Sequence, residues 1–152
     1  MNDYLGPKLS VLSHIIRRRI DQAAEEYGLS GPQSRILHYI AIESQKRDVF
    51  QRDVENVFHI RRSSVTSLVQ QLEKNQLIER VSVKRDARLK KLVLSKKGQE
   101  VQNEIGKKIT DFEESLLDLL KENKDSFIHQ LNELIEALVE QEIKTDEEEH
   151  DD

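Results

Sequence analysis

Between Arg61 and Lys91 the chain groups side chains suited to hydrogen bonding rather than to bond making. Arg61, Arg62, Ser63, Ser64, Thr66, Ser67 and Gln70 alternate with Val65, Leu68, Val69 and Leu72 at helical spacing, so polar and apolar sets fall on opposite faces of one short helix. Short hydroxyls permit close approach to a duplex. Arg grips a guanine edge through two parallel hydrogen bonds, and Gln does the same for adenine. A second group follows: Lys84, Arg85, Arg88, Lys90 and Lys91, with Asp86 as the single acid among them. Cations this dense repel one another unless a polyanion offsets them, and a phosphate backbone does so while releasing counterions. An Arg in such a loop also suits a narrow minor groove, where the negative potential is strongest. Asp86 stands close enough to Arg88 to pair with it and aim it. These residues point to recognition of double-stranded DNA.

Other chemistries find little support. The chain has no Cys, which excludes disulfides and thiolate metal sites. Its histidines are His14, His38, His59, His129 and His150, and no two of them stand four apart as a helical ligand pair would. No Gly-rich phosphate loop, nucleophile-base pair or isolated carboxylate pair stands out, so neither an enzyme nor a cofactor is expected. No apolar run reaches the ~18 residues of a membrane helix. Asp3 and Arg17-Arg18-Arg19 interrupt any signal-peptide pattern, and a cytoplasmic protein is expected.

The elements that must position these residues are mainly helical. Leu5, Leu9, Leu12, Ile16 and Ile20 recur at steps of three and four, predicting a helix over 4–27 that Gly28 ends. Ser30 is placed to cap the next helix, with Pro32 in its first turn, and that helix should run to about Ser44 and bury Ile36, Leu37, Tyr39 or Ile40, and Ile42. Val49-Phe50 reads as one strand of a small sheet. Residues 51–58 form a short helix with Val54, Val57 and Phe58 inward, His59-Ile60-Arg61 the turn, and 62–75 the next helix, which is helix-turn-helix spacing. An extended run to about Val83, a basic tip over 84–91 and a return strand Leu92-Val93-Leu94 make a hairpin. Ser95 caps a long helix, a break falls near 122–125, and a last helix precedes an acidic tail expected to be disordered.

Charge follows the same division. The net charge of the chain is −5, yet residues 46–98 hold 14 Lys and Arg against six Asp and Glu, a net of +8, while the remainder nets −13. A basic module flanked by acidic helices presents one face to a polyanion.

The hairpin and the helix before it carry a family resemblance that spans roughly residues 5–142. Glu79-Arg80, then Asp86-Ala87-Arg88, then Leu92-Val93-Leu94-Ser95-Lys96-Lys97-Gly98 resemble the E-R, D-x-R and L-x-L-[TS]-x-x-G pattern of the MarR-type (multiple antibiotic resistance regulator) winged helix-turn-helix transcription factors. Ser63-Ser64-Val65-Thr66-Ser67-Leu68-Val69 is similar to that family's S-x-V-T-x-L-V, and Leu29-Ser30 to Gln33 resembles the start of its second helix. Two positions depart from the pattern: Arg61 stands where Ser or Thr is frequent, and Ala87 where Arg is.

The resemblance implies a mainly α fold with a small β-hairpin, a winged helix-turn-helix with N- and C-terminal dimerisation helices. The expected organisation is a dimerisation helix over 1–30, a DNA-binding region over 31–98 with the wing at about 79–94, dimerisation helices over 99–144, and the acidic tail over 145–152. It implies a homodimer on a pseudo-palindromic operator, a repressor released by a small-molecule effector. Arg88 falls where the family's wing Arg enters the minor groove, and Asp86 where its acidic partner sits. The effector pocket would lie between the dimer helices and the reading head, where His14, Arg17, Arg18, Arg35, His38 and Tyr39 offer polar and cationic groups. The extensive apolar stripes at 5–20 and 127–139 agree with a dimer independently. Two alternatives remain at this level: a metal-responsive regulator of the same fold, and a winged helix used for protein contact.

Overall fold

Capping residues or backbone reversals mark several of the helix boundaries. The computed structural model describes residues 3–150, with side chains through residue 145. Helix α1 (Leu5–Glu25) stops at Tyr27-Gly28, where Gly28 takes φ of 73°, a left-handed conformation that costs glycine nothing. Helix α2 (Gly31–Glu43) starts on a full capping box: Ser30 Oγ accepts the Gln33 N–H at 3.3 Å and Gln33 Oε1 accepts the Ser30 N–H at 2.8 Å. Helix α3 (Gln51–Phe58) is held at its start by Asp53, whose carboxylate accepts the Phe50 N–H at 2.8 Å. His59 then adopts φ of 50° and turns the chain into α4 (Arg62–Lys74).

Gln76, at φ of 62°, breaks the chain out of α4 into β1 (Ile78–Val83), which pairs antiparallel with β2 (Asp86–Leu94). The ladder is regular from Ile78↔Leu94 to Ser82↔Lys90 and then slips, so that Val83 faces Asp86 and Ala87, Arg88 and Leu89 lie outside the register. The basic tip is therefore the excursion Lys84–Leu89, and Lys90 and Lys91 belong to the ladder. Ser95 caps α5 (Lys96–Leu120) by accepting the Gly98 N–H at 2.9 Å. A single 3-10 turn, Lys121–Asn123, with Lys121 at φ of 54°, precedes α6 (Lys124–His150).

Two compact units result, Met1–Ile109 and Thr110–Asp152. In the first, Ala24, Leu29, Ile36, Leu37, Ile40, Val49, Val54, Val65, Val69, Leu72, Leu77, Ile78, Leu92 and Ile105 form one buried cluster. Each such Val, Leu or Ile side chain contributes about 1.5–3 kcal/mol relative to leaving it in water. Val65, Val69 and Leu72 are the buried face of α4, so its polar face is turned outward.

Several expectations need correction. Val49-Phe50 is not a strand: Val49 is buried and its carbonyl accepts one hydrogen bond from Leu92 N at 2.7 Å, but among the described residues the sheet has two strands, β1 and β2. Val57 and Ile42 are exposed, at 51% and 41%, because the eight-residue α3 packs through Val54 and Phe58 and α2 through Ile36, Leu37 and Ile40. The segment from residue 145, expected to be disordered, continues α6 to His150; no Gly or Pro interrupts Lys124–His150, and its Glu, Gln, Leu and Lys are strong helix formers. Residues 151–152 lie outside the described residues.

Candidate nucleic-acid interface

The residues expected to read DNA collect on two neighbouring elements. Arg61, Arg62, Ser63, Ser64, Ser67 and Gln70 are exposed at the start and along the outer face of α4. Arg61 occupies the N-cap position without a side-chain capping bond, so the first N–H groups of α4 keep their hydrogen-bonding capacity for an external acceptor. Lys84, Arg85, Asp86, Arg88 and Lys90 are exposed on the hairpin, which contacts α4 through β1.

Three of these residues are engaged differently from expectation. Thr66 spends its hydroxyl internally, donating to the Arg62 carbonyl and accepting from Gln51 Nε2, both at 2.8 Å. Asp86 does not pair with the Arg88 guanidinium; its Oδ1 accepts the Arg88 backbone N–H at 2.9 Å, which fixes the tip's backbone, and among the described residues no ion pair engages the guanidinium. Lys90 donates from Nζ to Ser82 Oγ across the ladder. Lys91 is tied to Asp48 at 3.0 Å.

The framework behind α4 uses residues that the periodicity did not single out. Buried Gln33 donates from Nε2 to Gln71 Oε1 at 2.6 Å, joining α2 to α4. Arg80 donates to Glu73 at 3.2 Å and to Gln51 at 3.3 Å. Ser30 is legible as a helix cap, but the reach of Gln33, Gln51 and Arg80 depends on tertiary packing and leaves no local pattern.

The six effector candidates go to different places. Arg17 and Arg35 line a groove of about 440 Å³ with Leu9, Leu12, Ser13, Ile16 and Ile20. Arg35 is paired there with Asp21 at 2.9 Å. His14 and Arg18 are exposed on α1 and do not line it. His38 Nδ1 lies 2.8 Å from Gln102 Nε2 on α5. Tyr39 packs edge-on against Phe58 with ring centroids 5.7 Å apart and accepts from Arg47 at 3.0 Å. Burial raises the Tyr39 phenol above its ordinary value, so it is un-ionised at neutral pH. Among the described residues no three His, Asp or Glu side chains are grouped to hold a metal ion.

The site is thus a helix with an open polar face, an uncapped cationic start and an adjoining basic hairpin. A model of the MarR family matches residues 27–89, which include α2, α3, α4, β1 and the hairpin tip. The chain is 26% identical over 130 residues to the HTH-type transcriptional regulator YwoH of Bacillus subtilis, covering 85% of this chain and 92% of that protein. It superposes on the transcription regulator MarR from Oenococcus oeni with a TM-score of 0.65 at 27% identity, covering 90% and 99% of the two chains. Over residues 27–89, and in these two relatives, the chain is similar to the MarR family. The fold of MepR of Staphylococcus aureus, in a crystal structure of its DNA complex, is also similar, with a TM-score of 0.71 at 21% identity over 90% of this chain and 99% of that one. No described helix is long and apolar enough to cross a membrane.

Proposed function

We propose that this chain is a MarR-family transcriptional regulator that binds double-stranded DNA sequence-specifically, a cytoplasmic homodimeric repressor released by a small-molecule effector and without enzymatic activity. The observation that carries the reading is the exposed polar face of α4 beside an excursion bearing Lys84, Arg85 and Arg88. The arrangement fits a recognition helix in the major groove and a wing over the adjacent backbone and minor groove. The existence of a MepR–DNA complex on the same fold supports it.

In this reading Arg61, Arg62, Ser63, Ser64, Ser67 and Gln70 contact bases and phosphates, and Lys84, Arg85, Arg88 and Lys90 hold the wing to the backbone. Thr66 and Asp86 act indirectly, one by fixing the first turn of α4 and the other by shaping the tip. The regions over 1–30 and 99–144 supply the dimer contacts. Leu5 and Val11 on α1 are 53% and 51% exposed, and Ile135, Leu138 and Ile143 on α6 are 59%, 55% and 53% exposed. Covering such stripes with a second copy contributes about 25 cal/mol per Å² of apolar area. The groove holding Arg17 suits a small apolar anion as effector.

The test is binding of the purified protein to its own upstream intergenic DNA and to random DNA at two salt concentrations. Site-selective binding that survives moderate salt is expected. Equal, salt-sensitive binding to both would reduce the surface to a non-specific polyanion site and reject the reading.

A further inference from the structure

The polar contacts behind α4 form one directed chain. Arg80, on β1 at the base of the hairpin, forks: Nε donates to Glu73 near the end of α4 at 3.2 Å, and an Nη donates to Gln51 Oε1 at the start of α3 at 3.3 Å. The other end of the Gln51 amide donates to Thr66 Oγ1 at 2.8 Å and to Glu55 at 3.2 Å. Thr66 Oγ1 donates in turn to the carbonyl of Arg62, at 2.8 Å. The links are specific to residue type. Arg reaches two acceptors from one planar fork, Gln accepts at one end and donates at the other, and a hydroxyl both accepts and donates. A carboxylate at position 51 would lose the donation to Thr66. The chain therefore runs from the hairpin, through α3, to the turn of α4 that carries Arg62, Ser63 and Ser64.

We infer that Arg80 and Gln51 are positioning residues for DNA recognition: they lock hairpin and α4 into one rigid reading head and so govern sequence selectivity without reading a base. The inference rests on the DNA-binding reading above. Base-edge hydrogen bonds demand placement within about 0.5 Å, whereas phosphate attraction tolerates looseness. Cutting the chain should then cost selective binding and leave the electrostatic component in place.

The probe is a duplex that the wild-type chain selects from a random-sequence pool, measured beside a scrambled duplex over a salt series. The variants are Arg80→Lys, which keeps the charge but cannot fork, Gln51→Ala, and the pair together. The ratio of affinities, selected over scrambled, should fall about tenfold, the cost of one misread base pair. The salt slope should stay within about half a unit of wild type, because no phosphate contact is lost. The double variant should be no worse than the poorer single, since both cut one chain. Thermal melting establishes that each variant is folded at the assay temperature. If Arg80→Lys folds poorly, Thr66→Val cuts the same chain one link further on and must lower the ratio likewise. An unchanged ratio overturns the inference, leaving the chain a support of the fold. Equal loss on both duplexes with a slope lower by about one also overturns it, by making Arg80 a phosphate contact. If the wild-type chain selects no duplex, the DNA-reading assignment itself fails, a result distinguishable from either.

Discussion

Replacing Gly98 by Ala should damage this protein more than any other single-methyl change along α5. Gly98 is buried in the first turn of that helix, where a Cβ would run into the Leu77 carbonyl oxygen and come within 2.8 Å of its carbon and 3.2 Å of its Cα. The obstacle is backbone and cannot swing aside. Leu77 is itself pinned, donating to the Leu72 carbonyl at 2.9 Å and accepting from Ser95 N at 3.0 Å. Relief requires α5 to lift from the hairpin base, which breaks the Ser95–Leu77 bond and strains the caps from Ser95 to Gln76 and Gly98. Overpacking costs about 1–3 kcal/mol and two weakened hydrogen bonds about 1 kcal/mol each, against about 1 kcal/mol gained from the helix propensity of Ala. The net loss is about 3 kcal/mol, which lowers the Tm by about 6–12 °C for a chain of this size. Gly106→Ala is the internal control: the same helix and the same methyl, but nothing lies within 4 Å of its Cβ. It should raise stability by about 0.5–1 kcal/mol. Thermal melts by far-ultraviolet circular dichroism at one fixed protein concentration read both, because association shifts the midpoint. A Gly98→Ala protein that melts with the wild type, or the two variants moving in the same direction, would refute the close-approach argument.

Thr66→Val keeps the shape but removes a hydroxyl that makes two hydrogen bonds, so it should lower stability by about 1 kcal/mol in urea unfolding, while Thr66→Ser stays near wild type. Asp86→Asn retains an oxygen for the Arg88 N–H and loses a negative charge beside Lys84, Arg85 and Arg88, so DNA binding in low salt should tighten; weaker binding would show that the carboxylate aims the guanidinium after all. Ile135→Glu places a charge on the exposed apolar stripe of α6, and sedimentation should report a shift from dimer toward monomer; an unaltered dimer would remove α6 from the interface.

Much of this architecture is legible because it is written in local rules. Ser30 and Pro32 announce α2, Gly28 ends the turn after α1, and Ser95 starts α5, each by satisfying or sparing backbone groups within four residues. Val65, Val69 and Leu72 mark the inner face of α4 by periodicity alone. What escaped is what tertiary contact decides. Thr66 looks like its hydroxyl neighbours until Gln51 reaches it from 15 residues away. Val57 has the spacing of a core residue, but a helix of eight residues shows the core too narrow a face to bury it. The slip at Ser82/Val83 has no sequence signature, yet it decides that Arg88 lies outside the ladder and Lys90 within it.

The distribution of acids explains how so basic a module can both fold and keep its charge available. Of the six Asp and Glu residues in 46–98, five are occupied by local structure. Asp48 holds Lys91, Asp53 holds Arg47 and the Phe50 N–H, Glu55 takes the Gln51 amide, Glu73 holds Arg80, and Asp86 takes the Arg88 N–H. These acids neutralise the cations of the framework: Arg47, Arg80 and Lys91. Among the described residues no ion pair reaches Arg52, Arg61, Arg62, Lys84, Arg85 or Arg88, all of them exposed. Exposed pairs contribute little to stability, about 0–1 kcal/mol each, so leaving these six unpaired costs the fold little. Their charge is instead held in reserve for a partner that offers many negative groups at once, and a phosphate backbone is such a partner.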